Sequence, residues 1–251
     1  KKIALNTLIS AGARVIGLAL SLIFIGLLTR YLGQACFGQY STILAFLYIF
    51  TVIADLGLYS ICVRDISRPQ ADETKIASTA FSIRVVTGFF IFLVAPLVAL
   101  LFPYVFEVKV GILIGAFGFW LMSNQQVLMG VFQKYLRMDR VAIAELAGRL
   151  AQLIFILFVI NQNLSFLWVV GAFITGALVN FLLIFSFAKK HIKLKINFDL
   201  VYWKGFLKES LPLGVASILT MLYFKLDTVM LSVLKDQTDV GIYGLAYRIL
   251  E

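Results

Sequence analysis

Residues 76–102 read IASTAFSIRVVTGFFIFLVAPLVALLF. One ionisable side chain, Arg84, interrupts the stretch, which exceeds the roughly 20 apolar residues an α-helix needs to cross a bilayer. Stretches of the same kind run from Asn6 to Leu28, Gln39 to Val63, Val110 to Phe132, Val141 to Ile160, Leu164 to Phe187 and Leu211 to Leu234. An eighth starts near Gly241 and is cut off at Glu251.

The whole composition agrees. Of the 251 residues, 61% are hydrophobic and 14% charged, and the mean hydropathy is +0.97, against roughly 45–50% apolar and about 25% charged in soluble domains. The solvent is therefore lipid. One histidine, His191, and two cysteines, Cys36 and Cys62, leave too little for a zinc site, a Cys/His nucleophile or an iron–sulfur cluster. No nucleophile elbow and no phosphate loop occurs, so neither an enzyme nor a cofactor or metal is expected.

The first stretch is too long, and with Arg14 inside it too charged, for a cleaved signal peptide. It is expected to be a transmembrane helix, and the missing initiator Met reads as a trimmed chain. The net charge of +9 resolves by loop. Lys1, Lys2, Arg64, Arg68, Lys75, Lys134, Arg137, Arg140, Lys189, Lys190, Lys193, Lys195, Lys204 and Lys208 fall on one side, and Arg30, Lys109 and Lys235 on the other. By the positive-inside rule the N-terminus is cytoplasmic, and no nucleic-acid partner is needed to explain the charge. This topology puts Cys36 in an outer loop and Cys62 near the inner end of the second span, too far apart to pair.

A shift of 203 residues aligns Phe37-Gly38-Gln39-Tyr40 with Val240-Gly241-Ile242-Tyr243 and Leu28-Thr29 with Leu231-Ser232. Spans one and seven both enter from the cytoplasm, so the repeat is parallel, six helices plus six. The expected fold is all-α: a polytopic membrane protein with a six-helix bundle over residues 1–188 and the first helices of a second, parallel-repeat bundle over 211–251. Between them, residues 189–210 form a cytoplasmic linker whose Phe198, Val201, Tyr202 and Trp203 make an amphipathic segment for the membrane surface.

Ionisable residues inside spans cost about 2.5–3.5 kcal/mol each at a helix centre and need a reason. They are Arg14, Asp55, Arg84, Glu145, Arg149, Lys225 and Asp227. Arg14, Arg84, Arg149 and Asp55 each lie eight residues from an inner span end, about 12 Å deep at 1.5 Å per residue, so one polar layer is expected there. Glu145 and Arg149, four apart with Gly148 and Gln152 on the same face, are expected to neutralise each other. Asp55 can compensate one more arginine. Lys225 and Asp227 lie deeper, and one of them faces a cavity while the other pairs with a neighbouring helix. Snorkelling of the arginines, or pairing that only locks helices, are the competing roles. In the fourth span Ser123, Asn124, Gln125 and Gln126 cover all sides of a helix; most of them read as helix-packing glue, and Gln125, in line with Gly118 and Met122, as the one facing a cavity.

With these residues in view, the chain resembles the polysaccharide (O-antigen type) flippases of the multidrug, oligosaccharidyl-lipid and polysaccharide exporter superfamily. The resemblance rests on Leu28-Thr-Arg-Tyr-Leu-Gly33 with Phe37-Gly-Gln-Tyr40, on Asp55-Leu-Gly-Leu58 with Arg64-Asp65, and on Leu211-Pro-Leu-Gly214, Asp227 and Val240-Gly-Ile-Tyr-Gly-Leu-Ala-Tyr-Arg248. It implies a V-shaped pair of six-helix bundles in a bacterial or archaeal cytoplasmic membrane. These would move an undecaprenyl-diphosphate-linked oligosaccharide from the inner to the outer leaflet by alternating access. The implied partners are this lipid-linked oligosaccharide, membrane lipids and a polymerase or other glycan-assembly membrane protein. Arg14, Arg84, Arg149, Lys225 and Gln125 are then the cavity candidates, and Asp55, Glu145 and Asp227 the candidates for ion coupling or charge pairing. A multidrug exporter, a peptidoglycan-precursor flippase and a non-transporting scaffold for glycan assembly remain the alternatives.

Overall fold

The computed structural model describes residues 2–250, and the side chains of residues 12–220, 223 and 226–246. Eight helices are described: α1 Lys2–Asp55, α2 Leu58–Ile66, α3 Glu73–Ala99, α4 Phe106–Lys134, α5 Met138–Asn161, α6 Phe166–Lys189, α7 Leu200–Leu234 and α8 Gln237–Leu250. No strand occurs among the described residues.

Helix α1 departs from expectation. Its 44 residues from Gly12 to Asp55 amount to about 66 Å of helix, twice the ~30 Å hydrocarbon core. At Gly33 the backbone turns to φ 70°, ψ 178°, and residues 2–32 and 34–55 become two limbs. Tyr31 at the end of the first limb donates to the Leu164 carbonyl between α5 and α6. The second limb starts beside the same end of the bundle, where Ile43 meets Gly111 of α4, and ends with Asp55 against Arg84 of α3. The expected loop over 29–38 is therefore helix on both sides of one reversing glycine, and Cys36 lies on the second limb. Only glycine adopts that φ without strain, which lets one residue replace a loop.

The second crossing breaks again at Leu56 (φ 47°) and Gly57 (φ 75°) before α2 completes it. A Cβ on Gly57 would lie 2.5 Å from the Ser210 carbonyl oxygen and 2.8 Å from the Gly214 nitrogen. Backbone of α7 thus packs directly onto this break.

Helices α1 and α3 to α6 are long and apolar enough to cross a membrane. With α1 crossing twice they make six spans. The seventh expected span falls within α7, which runs unbroken from the amphipathic segment through Pro212, so no helix end marks residue 210. Leu97, Leu101, Phe106, Leu113, Ile154 and Phe158 are among many large apolar side chains exposed on the outside, the surface expected against lipid chains. Inside, one apolar cluster sits at the end carrying the basic loops (Leu58, Ile66, Ile76, Phe132, Ile184) and another at the opposite end (Phe46, Phe92, Tyr104, Ile112).

The linker is stitched to the bundle. Backbone N–H groups of Lys195 and Asn197 donate to the Ser78 and Ser82 hydroxyls of α3 at 3.1 and 2.9 Å. Trp203 and Phe206 are buried in the basic-end cluster. The amphipathic segment therefore turns these two rings onto protein, leaving Phe198, Leu200 and Val201 exposed. Arg64 of α2 reaches Asp65 at 2.8 Å and Glu209 of α7. Those bonds, to Asp65 foremost, hold its guanidinium above the usual arginine pKa.

The two copies of the repeat meet. A Cβ on Gly38 would collide with the Gln237 carbonyl oxygen, and a Cβ on Gly241 would lie 2.4 Å from the Gln34 carbonyl oxygen. Gln34 and Gln237 are themselves equivalent under the 203-residue shift. Residue i of one copy touches j of the other and j touches i, the reciprocity of a local two-fold axis.

Candidate functional site

Among the described residues Arg84 is the most enclosed charge. It is 0% exposed, and all three guanidinium nitrogens are engaged. Nη1 lies 3.1 Å from Asp55 Oδ1 in ion-pair rather than in-line hydrogen-bond geometry, Nε donates to the Ser123 carbonyl at 3.1 Å, and Nη2 to Gln126 Oε1 at 2.9 Å. Asp55 thus compensates an arginine, and the Ser123–Gln126 run holds it. Asn124 donates back to the Trp120 carbonyl at 2.9 Å. Arg84 and Asp55 are absent from the cleft walls described next.

Three adjoining cavities of about 280, 340 and 390 Å3 run between α1, α4, α5 and α6. All three are lined by Arg149. The first opens beside Met138 and Val141 at the basic end and holds Arg14, Glu145 and Arg149. The second lies deeper and holds Ser21, Tyr40, Gln125, Glu145, Arg149, Gln152 and Asn180. In the third, Thr228 of α7 and Gly244 of α8 join Ser21, Ser41 and Tyr48.

Arg149 crosses the cleft to α1. Its Nη1 donates to the Gly17 carbonyl at 3.1 Å and to the Ser21 hydroxyl. The guanidinium carries five N–H donors in a planar fork, and these bonds use only one of its nitrogens. Gly17 lies close under the Arg149 side chain: a Cβ there would be 3.4 Å from Nε, in ordinary van der Waals contact. The expected Glu145–Arg149 pair does not form: among the described residues Arg149 is bound to α1, and Glu145 makes no ion pair. Packing decides this, since the α1 backbone offers a carbonyl where a helix-surface pair would face solvent. The cleft thus holds two cations, Arg14 and Arg149, against one carboxylate.

Asp227 pairs across helices, accepting from the Tyr243 hydroxyl of α8 and from its neighbour Thr228. The side chain of Lys225 lies outside the described residues. Gln125 is 8% exposed, and its Oε1 has no partner. Among the described residues no group of His, Cys, Asp and Glu is placed to hold a metal ion. Ser21 and Asn180 were not singled out from sequence. An asparagine in the middle of an otherwise apolar span was the available signal for Asn180. For Ser21 there was none.

A family model described as polysaccharide biosynthesis protein matches residues 3–251. The chain belongs to the polysaccharide biosynthesis family. No curated protein and no solved structure matches it. This member of the family is an all-α, multi-pass membrane protein in which Arg149 lines three adjoining cavities, while the buried Arg84 is held apart from them by Asp55 and α4.

Proposed function

We propose that the chain forms the first bundle and the start of the second in a flippase. Its cargo is an undecaprenyl-diphosphate-linked oligosaccharide, moved from the inner to the outer leaflet by alternating access without catalysis. The carrying observation is the cleft of Arg14 and Arg149, opening at the basic end of a polysaccharide biosynthesis family member. A diphosphate needs cations, and arginine offers it a planar fork of donors. The basic loops make that end cytoplasmic, where such lipids would enter with the polyprenyl tail left in the bilayer.

Residues 1–188 are read as the first bundle, 189–210 as its linker and 211–251 as the start of the second, supported by the reciprocal Gly38–Gly241 contact. The role of Arg84 is to hold α3 to Asp55 and α4, not to touch cargo. Glu145 and Asp227 remain the candidates for coupling to a proton or sodium gradient, while Asp55 is engaged with Arg84.

Full-length protein reconstituted in vesicles tests this. Arg14→Ala and Arg149→Ala are each expected to lower flipping of a polyprenyl-diphosphate-linked glycan about tenfold or more, the loss of one charge-assisted bond or two. Unchanged flipping in both sinks the proposal. One observation favours a multidrug exporter, the unpaired Glu145 in the cleft, and transport of a cationic dye without lipid-linked glycan would establish it. Equal transport of a peptidoglycan precursor would widen the cargo to diphosphate-linked glycans in general.

A further inference from the structure

The deeper cavity contains two buried, unpartnered amide oxygens. Gln125 Oε1 and Asn180 Oδ1 are both shielded from solvent and accept no hydrogen bond from protein, yet both residues line the same cavity as Gln152. A buried amide without a partner is unfavourable, and rotation of either side chain would turn its oxygen to the cavity wall that both residues line. Their position is built by the fold. Helices α5 and α6 cross at Gly148 and Gly176, where a Cβ on either would lie 2.7 or 2.9 Å from the other's carbonyl oxygen. That close approach brings Gln152 and Asn180 onto one wall, facing Gln125 from α4.

The chemistry of this wall differs from that of the cavity mouth. A carboxamide is uncharged and offers a donor and an acceptor together, which suits hydroxyl and acetamido groups and gives a phosphate no charge to pair with. Phe24 and Phe173 line the same cavity. Sugars present a polar edge of hydroxyls and an apolar face of C–H bonds, and amides beside aromatic rings match both. Gln152 lies three residues beyond Arg149 on α5, about 4.5 Å deeper, the span of one sugar ring next to a diphosphate held by Arg149.

We infer that Gln125, Gln152 and Asn180 form a subsite that reads the uncharged sugar attached directly to the diphosphate. The inference rests on the flippase reading and adds to it a division of labour: arginines hold the anion, and amides select the sugar. Specificity then lies with the amides, because a site built to hydrogen-bond a hydroxyl strongly disfavours a ligand that lacks it.

Binding to detergent-solubilised full-length protein separates the two ideas. The probes are undecaprenyl diphosphate without sugar and undecaprenyl-diphosphate-linked N-acetylglucosamine. Gln125→Met and Gln152→Met, near-isosteric and apolar, are expected to weaken the sugar-bearing lipid about tenfold each and the sugar-free lipid less than about twofold. Arg149→Gln is expected to weaken both probes alike. If the amide variants change both probes equally, or neither, the sugar subsite is overturned. If wild type fails to bind the sugar-free lipid, or Arg149→Gln binds both probes normally, the diphosphate reading falls and the subsite with it. Should the buried Gln125→Met not fold, the half-buried Gln152→Met decides alone.

Discussion

Arg84 and Arg149, which counting along their helices puts at one expected depth, differ in what each reaches. Arg84 makes three divergent contacts to Asp55, Ser123 and Gln126, so lysine, a single point donor, cannot replace it. Arg84→Met leaves the Asp55 carboxylate without its cation and is expected to destabilise the bundle by about 3–5 kcal/mol, the range for breaking one side of a buried pair. Thermal unfolding in detergent checks this. The double change Arg84→Met with Asp55→Asn is expected to recover a large part of the loss, since no charge is then stranded; additive losses would show that the pair is not coupled. An expected depth follows from counting, because rise per residue is constant. Azimuth does not follow, because it depends on which helix packs alongside. That is why Arg84 and Arg149 looked alike, and why Glu145 was matched with Arg149 on its own helix rather than left open by Gly17 and Ser21 of α1.

At the scale of elements, the same limit shows at helix ends. Hydropathy averaged over about twenty residues locates a span but not a one-residue reversal, so a loop stood where Gly33 alone turns the chain. Likewise the amphipathic segment and the seventh span differ in composition, yet α7 joins them because nothing in that change of composition obliges a helix to stop. The Gly-x-Tyr repeat was legible, and the structure gives its glycines a physical reason: backbone meets backbone at Gly38 and Gly241. Gly38→Ala is therefore expected to push α8 off α1. In a background with Cys36 and Cys62 replaced by alanine, a disulfide between cysteines at Thr42→Cys and Gln237→Cys, whose native side chains meet at 3.3 Å, should lose efficiency when Gly38→Ala is added. Gly26→Ala, with no atom within 4 Å of its Cβ, should leave the crosslink intact and, by helix propensity, add up to about 1 kcal/mol of stability. Equal crosslinking in all three backgrounds would mean that the crossing tolerates a methyl group.

On the scale of the whole molecule, the proposed reading gives two charge systems separate tasks. The basic loops would set orientation and the cleft charges Arg14 and Arg149 would bind cargo, so the two can be perturbed independently. If the loops set the topology, the turn at Gln162 between α5 and α6 faces outward, and Ser67 between α2 and α3 faces the cytoplasm. Both positions are exposed and neither lines the cleft. With Cys36 and Cys62 first replaced by alanine, a membrane-impermeant maleimide added to intact cells should label Gln162→Cys and spare Ser67→Cys until the cells are opened. The opposite pattern would invert the bundle and place the Arg14 and Arg149 mouth on the outer face. A diphosphate-linked lipid made inside the cell could not then enter by the route proposed. Orientation is thus the premise on which the direction of transport depends, and it can be tested without knowing the cargo.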